Sequence, residues 1–222
     1  MTGLLETRTA TAPRRGQEVA KRTTDLVLSL VLIVILAPFL LLLCLLVRAT
    51  SAGPAVFRQE RVGRGLQTFT VLKLRTMYTG NDDRIHREYV VSMLAGAPDT
   101  QQGGTGLFKL DADPRVTPLG GWLRRTSLDE LLQLINVFRG EMSLVGPRPV
   151  LAWEAQHFGE AFHQRFAVKP GITGLWQVSG RSKLSMRRAL ELDLEYVLRR
   201  SFAFDLTIML RTVPALFRGG AR

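Results

Sequence analysis

An uninterrupted apolar stretch near the amino terminus constrains this chain more than any other feature. Residues 26–47 read LVLSLVLIVILAPFLLLLCLLV, and Ser29 is the only clearly polar side chain among them. A helix needs roughly 20 apolar residues to cross the hydrocarbon core of a bilayer, so this stretch is long enough to do so. It also lacks the small-residue cleavage site of a secretory signal peptide. We therefore predict an anchor that is kept in the mature protein.

How this anchor meets the membrane stays open on physical grounds. Pro38 lies near its middle, and a proline removes one helical hydrogen bond and kinks or breaks the helix. Basic residues flank both ends, whereas a spanning helix usually has an excess of Lys and Arg on one side only. These features are consistent with a re-entrant hairpin broken at Pro38. A kinked spanning helix fits equally well, because prolines are tolerated in such helices.

The charge of the chain indicates a polyanionic partner. Its 222 residues carry a formal net charge of +11, which suits nucleic acid, an anionic membrane surface or a phosphate-rich substrate. The arginines lie in turns and at helix starts beside acids rather than in a continuous basic stripe, which argues against nucleic acid. The single cysteine, Cys44, excludes an internal disulfide framework and a cysteine-based zinc site. The histidines show no metal-ligand spacing.

The sequence divides into three parts: a disordered tail (1–20), the anchor (21–50) and a catalytic domain (51–222). The tail has few large apolar side chains, which is typical of disorder. The domain is predicted to be mixed α/β and mostly helical. Alternation predicts strands near 55–59 and 68–74, and residues 169–182 are rich in turn formers. Helical patterns are predicted at 84–94, 118–125, 128–138, 151–166, 185–199 and 205–217.

The last two predicted helices interleave apolar with basic residues. Helices of this kind can lie on an anionic membrane surface. Ordinary packing of an amphipathic helix against a core is the commoner explanation of the same period. Both interpretations stay open for this part of the chain.

Two consecutive carboxylates, Asp129 and Glu130, are the candidate reactive pair. Ser127 followed by Glu130 matches a capping box, so the acids could merely begin a helix. A helix amino terminus also binds phosphate and keeps a nearby carboxylate ionised, and therefore available as a nucleophile or metal ligand. Consecutive helical residues point about 100° apart. One acid could therefore attack phosphorus while the other holds a divalent cation, which prefers oxygen ligands.

Four cations are candidates for phosphate binding: Arg124, Arg148, Lys73 and Arg75. Arg124 lies just before the acids and could neutralise phosphate charge with its planar guanidinium. Each of the others, taken singly, is more often a solvated surface cation. Together with a membrane anchor, they favour a membrane-associated enzyme that acts on phosphates.

Several long motifs in a fixed order resemble the bacterial sugar transferases. These are monotopic phosphoglycosyl transferases that start the assembly of exopolysaccharide, capsule, O-antigen or glycoprotein glycans. The resemblance covers nearly everything from Lys21 to about Phe217. It is carried by KRTTDLVL, VFRQERVGRG, VLKLRTM, DPRVTPLGGWLRRTSLDELLQLINVFRGEMSLVGPRP and KPGITGLWQVSGRS.

The resemblance implies a reaction and a place for it. Enzymes of this kind use Mg²⁺ and move a sugar-1-phosphate from a UDP-sugar onto a polyprenol phosphate such as undecaprenyl phosphate, releasing UMP. The implied location is the cytoplasmic face of the bacterial inner membrane, in contact with phospholipids. The implied anchor is re-entrant and not spanning.

The resemblance also implies roles for particular residues. Asp129 would be the nucleophile that forms an aspartyl phosphosugar, and Glu130 would support the metal or assist proton transfer. Arg124 and Lys73 match phosphate-binding and active-site cations. Further substrate-binding residues are implied in VLKLRTM, GPRP and the KPGITGLWQVSGR loop: Arg75, Arg148, Lys169, Gly171, Thr173, Gln177 and Arg181.

The chain departs from the family pattern at two positions. Ala37 precedes Pro38 where the family often has serine, and Leu132 replaces a usual proline, a change that should not affect catalysis. Larger relatives carry a further amino-terminal membrane bundle, and this chain resembles the short form. A sugar-nucleotide hydrolase and a non-catalytic basic scaffold remain alternatives. The sequence leaves the sugar, the polymer, the role of residues 80–113 and the oligomeric state open, a homo-oligomer being one alternative.

Overall fold

The computed structural model describes residues 15–80, 84–94, 113–180 and 184–218. The chain forms one long apolar helix followed by a domain of short helices and a few short strands, so the predicted mixed, mostly helical class is confirmed. The long helix, α1, runs over Arg15–Thr50. Among the described residues it is the helix that is long and apolar enough to cross a membrane.

Two small sheets organise the domain. An antiparallel hairpin pairs β1 (Val56–Val62) with β2 (Thr68–Leu74), as the alternating sequence predicted. Its turn contains Gly65 with a φ of 66°, a left-handed conformation that glycine adopts without strain. A parallel pair joins β3 (Ser143–Val145) to β4 (Gly171–Thr173).

Helices surround these strands. Of the predicted helices, 84–94, 118–125, 185–199 and 205–217 form close to the expected bounds. The α-helices are α2 (Arg84–Leu94), α3 (Pro118–Thr126), α4 (Gln133–Arg139), α5 (Ala152–Gln156), α6 (Leu175–Ser179), α7 (Met186–Arg199) and α8 (Phe202–Arg218). Three 3₁₀ segments cover Arg64–Leu66, Leu128–Glu130 and Glu160–Ala167.

Two local predictions were wrong. The single helix expected over 128–138 is a 3₁₀ turn followed by α4, because Glu130 N and Leu131 N donate to the carbonyl oxygens three residues earlier. The helix expected over 151–166 is divided into α5 and a 3₁₀ segment that begins after Gly159. The stretch 169–182, which is rich in turn formers, contains β4 and α6.

The first helix also differs from its prediction. It begins at Arg15, so residues 15–20, which were expected in the disordered tail, are helical, while residues 1–14 lie outside the described part of the chain. The helix continues through Pro38, and the break predicted there is absent. A proline removes one hydrogen bond, but the flanking residues can keep helical dihedrals, so the helix need not end there.

One face of α1 packs against the domain along most of its length. The residues on this face recur every three or four positions, the spacing of a helical stripe. The stripe is about 33 Å long by the rise of an α-helix. Its members are Asp25, Ser29, Ile33, Leu36, Leu40, Leu43 and Val47.

Polar contacts attach both ends of α1 to the same domain. Near the amino end, the Asp25 carboxylate accepts hydrogen bonds from Leu144 N at 2.9 Å and from Ser143 Oγ at 3.1 Å. At the carboxyl end, the Arg75 guanidinium donates to the carbonyl oxygen of Ser51 at 2.7 Å. Both ends of α1 are therefore in contact with the same domain.

The two carboxyl-terminal helices differ in what they expose. In α7, Leu190 and Val197 are buried in the core, so ordinary amphipathic packing explains its pattern. In α8, Ile208 is buried, but the opposite side presents exposed Leu206 and Leu210. An apolar stripe on α8 therefore remains outside the domain core.

Candidate active site

The reactive pair lies on a tight turn and not at the start of a long helix. Ser127 has φ 59° and ψ 17°, and its side chain makes no capping hydrogen bond, so the predicted capping box does not form. The 3₁₀ turn Leu128–Glu130 is closed by backbone hydrogen bonds, such as Glu130 N to Ser127 O at 3.3 Å. Because Glu130 is not used in a capping box, its side chain is available for other contacts.

This turn borders a cavity of about 410 Å³, a size usual for small-molecule sites. The hairpin β1–β2, residues 76–80, α3 and the loop that follows β3 form the other walls. Cations outnumber carboxylates by two to one around it. The charged lining residues are Arg61, Lys73, Arg75, Arg115, Arg124, Arg148, Asp129, Glu130 and Glu154.

The two acids meet different surroundings. Glu130 accepts a hydrogen bond from Lys73 Nζ at 3.1 Å and lies 3.8 Å from an Arg148 guanidinium nitrogen. Asp129 is 6% exposed and is attracted electrostatically to Lys73 and Arg124. One acid is therefore held by two cations, and the other is enclosed at the cavity wall.

The cations of the cavity are poorly solvated. Burial lowers the pKa of Lys73, an effect that Glu130 partly offsets. Burial also lowers the pKa of Arg61 to about 10, with Glu154 opposing the change. The pKa of Arg124 is lowered by burial as well, against the attraction of Asp129. Incompletely hydrated cations favour an anionic ligand, because its charge replaces the lost solvation.

Hydrogen bonds to consecutive backbone carbonyl oxygens hold the loop that carries Arg148 in place. Four consecutive carbonyl oxygens, those of residues 147–150, each accept a hydrogen bond. Their donors are Gly171 N at 2.8 Å, an Arg165 guanidinium nitrogen at 2.9 Å, an Arg61 guanidinium nitrogen at 3.4 Å and Val62 N at 2.8 Å. The loop is therefore held on both sides, by β4 and by β1.

Arg165 is itself held inside the domain. Its guanidinium pairs with Asp193 at 2.6 Å, and the two side chains are almost completely buried. The guanidinium carbon also lies 5.1 Å from the Phe158 ring centre and 5.4 Å from that of Phe166. A buried pair thus supports the backbone of Arg148.

The structure brings together most of the predicted site residues. Lys73, Arg124, Asp129, Glu130 and Arg148 line the large cavity. A small adjoining recess shares Lys73, Glu130 and Arg148 with it and adds Gly171 and Gln177.

Gly171 is confined by its neighbours. A Cβ atom there would lie 2.1 Å from Gly146 N, so only glycine fits between β4 and the Arg148 loop. Its role in the site is therefore to allow this close approach.

Four other predicted residues are used in other contacts, line another cavity or cannot be placed. Arg75 borders the cavity, but its guanidinium donates to carbonyl oxygens at the end of α1. The Thr173 hydroxyl is hydrogen-bonded to Thr212 at 2.8 Å. Lys169 lines a separate cavity at the start of α1. Arg181 lies outside the described residues.

Sequence reasoning missed three charged residues of the cavity. Arg61 points from β1 into both the cavity and the recess, and Glu154 forms an ion pair with it at 3.5 Å. Arg115 pairs with Asp113 at 2.8 Å in the DPR motif. Side-chain alternation along β1 could have shown that Arg61 and Lys73 share a face of the hairpin.

The same acids are the candidate metal ligands. No group of three His, Cys, Asp or Glu side chains converges in the described residues. Mg²⁺ is commonly held by one or two carboxylates, and substrate phosphates and water complete its coordination. The pair of Asp129 and Glu130 matches this arrangement. The donor set fits Mg²⁺ on those terms.

Comparison with known proteins gives matches along almost the whole chain. A family model described as bacterial sugar transferase matches residues 16–219, a range that includes every residue of the charged cavity. The exopolysaccharide production protein ExoY of Sinorhizobium fredii is 39% identical over 198 residues, covering 89% of this chain and 85% of that protein. The UDP-glucose:undecaprenyl-phosphate glucose-1-phosphate transferase of Caulobacter vibrioides is 39% identical over 212 residues, covering 92% and 72%.

A third relative is considerably longer than this chain. The undecaprenyl-phosphate galactose phosphotransferase of Salmonella typhimurium is 36% identical over 205 residues, which cover 92% of this chain and 42% of that protein. The similarity to this relative therefore concerns less than half of its length.

Proposed function

Since this chain belongs to the bacterial sugar transferase family, we propose that it transfers a sugar-1-phosphate from a UDP-sugar to a polyprenol phosphate and releases UMP. The relatives named for glucose-1-phosphate and galactose phosphate transfer to undecaprenyl phosphate support this choice. The product would be a polyprenyl-diphosphate-linked sugar. A relative named for exopolysaccharide production suggests the kind of polymer that this product begins.

One observation carries the proposal: two consecutive carboxylates face a surplus of largely half-buried cations in one cavity. A diphosphate would satisfy these cations, whose burial leaves them short of solvent. A carboxylate nucleophile could not approach that diphosphate unless nearby cations compensated its charge. Asp129 and Glu130 have this compensation from Lys73, Arg124 and Arg148.

The proposed chemistry has two displacements at one phosphorus. An oxygen of Asp129 attacks the phosphorus that carries the sugar, the bond from that phosphorus to the UMP oxygen breaks, and UMP leaves. An oxygen of the polyprenol phosphate then attacks the same phosphorus and displaces Asp129, which returns to its starting state. Covalent catalysis lets one site serve a soluble donor first and a lipid acceptor afterwards.

The other charged residues position these groups. Glu130, which is held between Lys73 and Arg148, would accept a proton from the lipid phosphate or orient the donor. Arg124, beside Asp129, stabilises charge on the departing phosphate. Asp129 and Glu130 would hold Mg²⁺, which would neutralise charge on the diphosphate oxygens.

We further infer that the protein is monotopic. The domain covers a stripe of α1 from Asp25 to Val47, and both ends of the helix contact that domain. If α1 crossed the bilayer, the charged domain would have to enter the hydrocarbon with it, which is too costly. The exposed apolar side of α1 would instead enter one leaflet from the cytoplasmic face.

The reaction is tested with purified protein in nanodiscs. The assay contains Mg²⁺, undecaprenyl phosphate and one UDP-sugar from a panel, and the released nucleotide is identified by chromatography. We expect repeated turnover to UMP only when the lipid phosphate is present and only with one or two sugars. Without the lipid, UMP release should stop after about one molecule per protein, the amount that forms the aspartyl intermediate. The same assay with EDTA in place of Mg²⁺ should give no turnover.

Other nucleotides would contradict the proposal in distinct ways. Release of UDP would mean plain glycosyl transfer and would remove the role given to Asp129. Multiple turnovers of UMP release without lipid would favour a sugar-nucleotide hydrolase. Full activity in EDTA would overturn only the proposed role of the metal and would leave the rest of the mechanism in place.

A further inference from the structure

A second charged cavity lies at the amino end of α1. It has a volume of about 230 Å³ and shares no lining residue with the two cavities that contain Glu130. Its polar walls come from α1, the turn of the β1–β2 hairpin, the segment before β4 and the start of α8. The charged lining residues are Glu18, Lys21, Arg22, Asp25, Arg64, Lys169, Arg200 and Asp205.

Most of these charges are already satisfied within the protein. Lys21 Nζ lies 2.7 Å from an Asp205 oxygen, and Arg200 pairs with Glu18. Arg22 donates to the carbonyl oxygens of residues 137 and 138 at 2.7 and 2.8 Å, at the end of α4. Asp25 accepts its hydrogen bonds from β3. These contacts hold the walls of the cavity together.

Two cations differ from the rest. Within the described part of the chain, the side chains of Lys169 and Arg64 make no hydrogen bond or ion pair, although both residues line the cavity. The pKa of Lys169 is lowered by burial and then by the neighbouring charges of Arg22 and Arg64. The cavity therefore contains positive charge that the protein itself does not neutralise.

The cavity continues into apolar surface on two helices. Phe202, the first residue of α8, lines the cavity, and Leu206 is exposed one helical turn later. On α1, Arg22 lines the cavity, and Leu26 is exposed one turn later. Leu30 and Leu210 extend the two exposed stripes by a further turn. The positively charged cavity is therefore next to exposed apolar side chains of both α1 and α8.

We propose that this cavity binds the phosphate group of an acidic phospholipid, whose acyl chains lie along α1 and α8. The cations Lys169 and Arg64 would contact the phosphate oxygens. The apolar stripes that begin one turn away favour a lipid over a soluble phosphate, which would leave them exposed. A zwitterionic lipid would bring its ammonium group to a site that already has surplus positive charge, so an anionic headgroup is preferred.

The test compares lipid binding by three forms of the full-length protein in detergent. These are the wild type, a double variant with Lys169→Gln and Arg64→Gln, and a control with Arg187→Gln and Arg188→Gln. The control removes the same charge from exposed positions on α7. Each is titrated with short-chain phosphatidylglycerol, phosphatidylcholine or inorganic phosphate, and bound adducts are counted by native mass spectrometry. Thermal unfolding without lipid verifies that every variant is folded.

We expect the wild type and the control to bind phosphatidylglycerol with equal affinity and to prefer it to phosphatidylcholine. The double variant should bind it at least about tenfold more weakly, the scale set by two membrane-proximal cations. Equal binding of the two lipids, or undiminished binding by the double variant, would overturn the site. Displacement of phosphatidylglycerol by a similar concentration of inorganic phosphate would show a soluble-anion site and overturn the lipid assignment.

Discussion

Asp129 and Glu130 are neighbours in the chain, yet they meet different surroundings: Glu130 forms ion pairs with Lys73 and Arg148, and Asp129 is buried near Lys73 and Arg124. The proposed division of labour gives Asp129 the covalent step, so Asp129→Asn should reduce UMP release at least about a thousandfold, as loss of a nucleophile does elsewhere. Glu130→Gln should impair turnover severely without preventing UDP-sugar binding. Turnover assays and donor binding, measured on the same preparations, separate these outcomes.

A covalent intermediate gives a sharper check on the first variant. Incubating wild-type protein with a radiolabelled UDP-sugar and no lipid acceptor should leave label on the protein, and Asp129→Asn should leave none. Label that persists in the Asp129→Asn protein would assign the nucleophile to another residue. Equal turnover of wild type and variant would remove the proposed mechanism altogether.

The buried pair of Arg165 and Asp193 provides a second prediction at this scale. Arg165→Met alone leaves Asp193 buried without its cation, which costs about 3–5 kcal/mol of folding stability. Arg165→Met combined with Asp193→Leu removes both charges and should recover most of that stability. Both proteins lack the hydrogen bond to the Arg148 carbonyl oxygen, so KM for the UDP-sugar should stay raised in the double variant.

Chemical denaturation and donor kinetics measure these two effects separately. A purely structural role for Arg165 would predict that KM returns to the wild-type value when stability returns. If KM recovers in the double variant, Arg165 does not position Arg148.

The lowered pKa of Lys73 predicts that binding of the UDP-sugar weakens at alkaline pH. Its cation attracts the donor phosphates only while protonated, and burial lowers its pKa from the ordinary 10.5. As pH rises, Lys73 loses its proton earlier than an exposed lysine, so KM for the UDP-sugar should begin to rise below pH 10.5. Arg61, with a pKa lowered to about 10, contributes in the same range.

Lys73→Arg isolates the lysine contribution, because arginine keeps its charge to higher pH. This variant should shift the rise of KM to higher pH. An alkaline profile of KM that is identical in wild type and Lys73→Arg would mean that Lys73 does not set the limit.

At the residue scale, the sequence motifs predicted the two acids and the cations that lie close to them. It could not separate Arg148 from Arg75, because only the fold shows that Arg75 is used to hold the end of α1. Lys169 and Gly171 are two residues apart, yet they line different cavities because β4 begins between them. Such separation depends on long-range strand pairing, which local patterns do not contain.

Among the secondary-structure elements, α3 positions Arg124 through a close contact with the segment that follows β2. Thr117 N donates to Thr76 O at 3.0 Å, and a Cβ atom on Gly120 would lie 2.0 Å from the same oxygen. Gly120→Ala should therefore displace α3, destabilise the protein by about 1–3 kcal/mol and reduce turnover. Thermal unfolding and UMP release measure the two effects.

Gly121 is a matched control one residue away. A Cβ atom there would meet nothing closer than 3.8 Å, and alanine is a better helix former than glycine by about 1 kcal/mol. Gly121→Ala should thus leave turnover unchanged and keep or raise the unfolding temperature. Equal unfolding temperatures and equal turnover of the two alanine variants would mean that the close contact of Gly120 with Thr76 does not position α3.

The outcome of the element predictions follows from their physical basis. The two strands of the hairpin were predicted near their observed positions, because alternation of apolar and polar residues is a strong local signal, although β1 continues to Val62, beyond the predicted 55–59. The helix over 128–138 was wrong in its first residues, because Leu128–Glu130 form a 3₁₀ turn closed by hydrogen bonds to the carbonyl oxygens three residues earlier. Such turns are common at the start of an α-helix, and the apolar period does not distinguish them from it. This turn carries both acids at the cavity.

For the whole molecule, the sequence predicted an anchor but left its topology undecided. The periodic stripe that packs on the domain is difficult to recognise in residues 26–47, because nearly every position is apolar. Only the packed structure distinguishes Leu40, Leu43 and Val47, which are buried, from Leu41 and Leu45, which are exposed. The choice between a monotopic and a spanning anchor therefore rests on tertiary contacts.

That choice can be tested directly across an intact membrane. Cysteines introduced as Gln17→Cys and Ala52→Cys, each in a Cys44→Ser background, lie at exposed positions on either side of the apolar stretch. Because both ends of α1 contact one domain, a membrane-impermeant maleimide should label both cysteines in inverted inner-membrane vesicles and neither in intact spheroplasts. Permeabilised spheroplasts, in which both sites should react, control for reactivity. Labelling of one site in spheroplasts and the other in inverted vesicles would mean that α1 crosses the bilayer, and the domain would then have to separate from half of the stripe on which it packs.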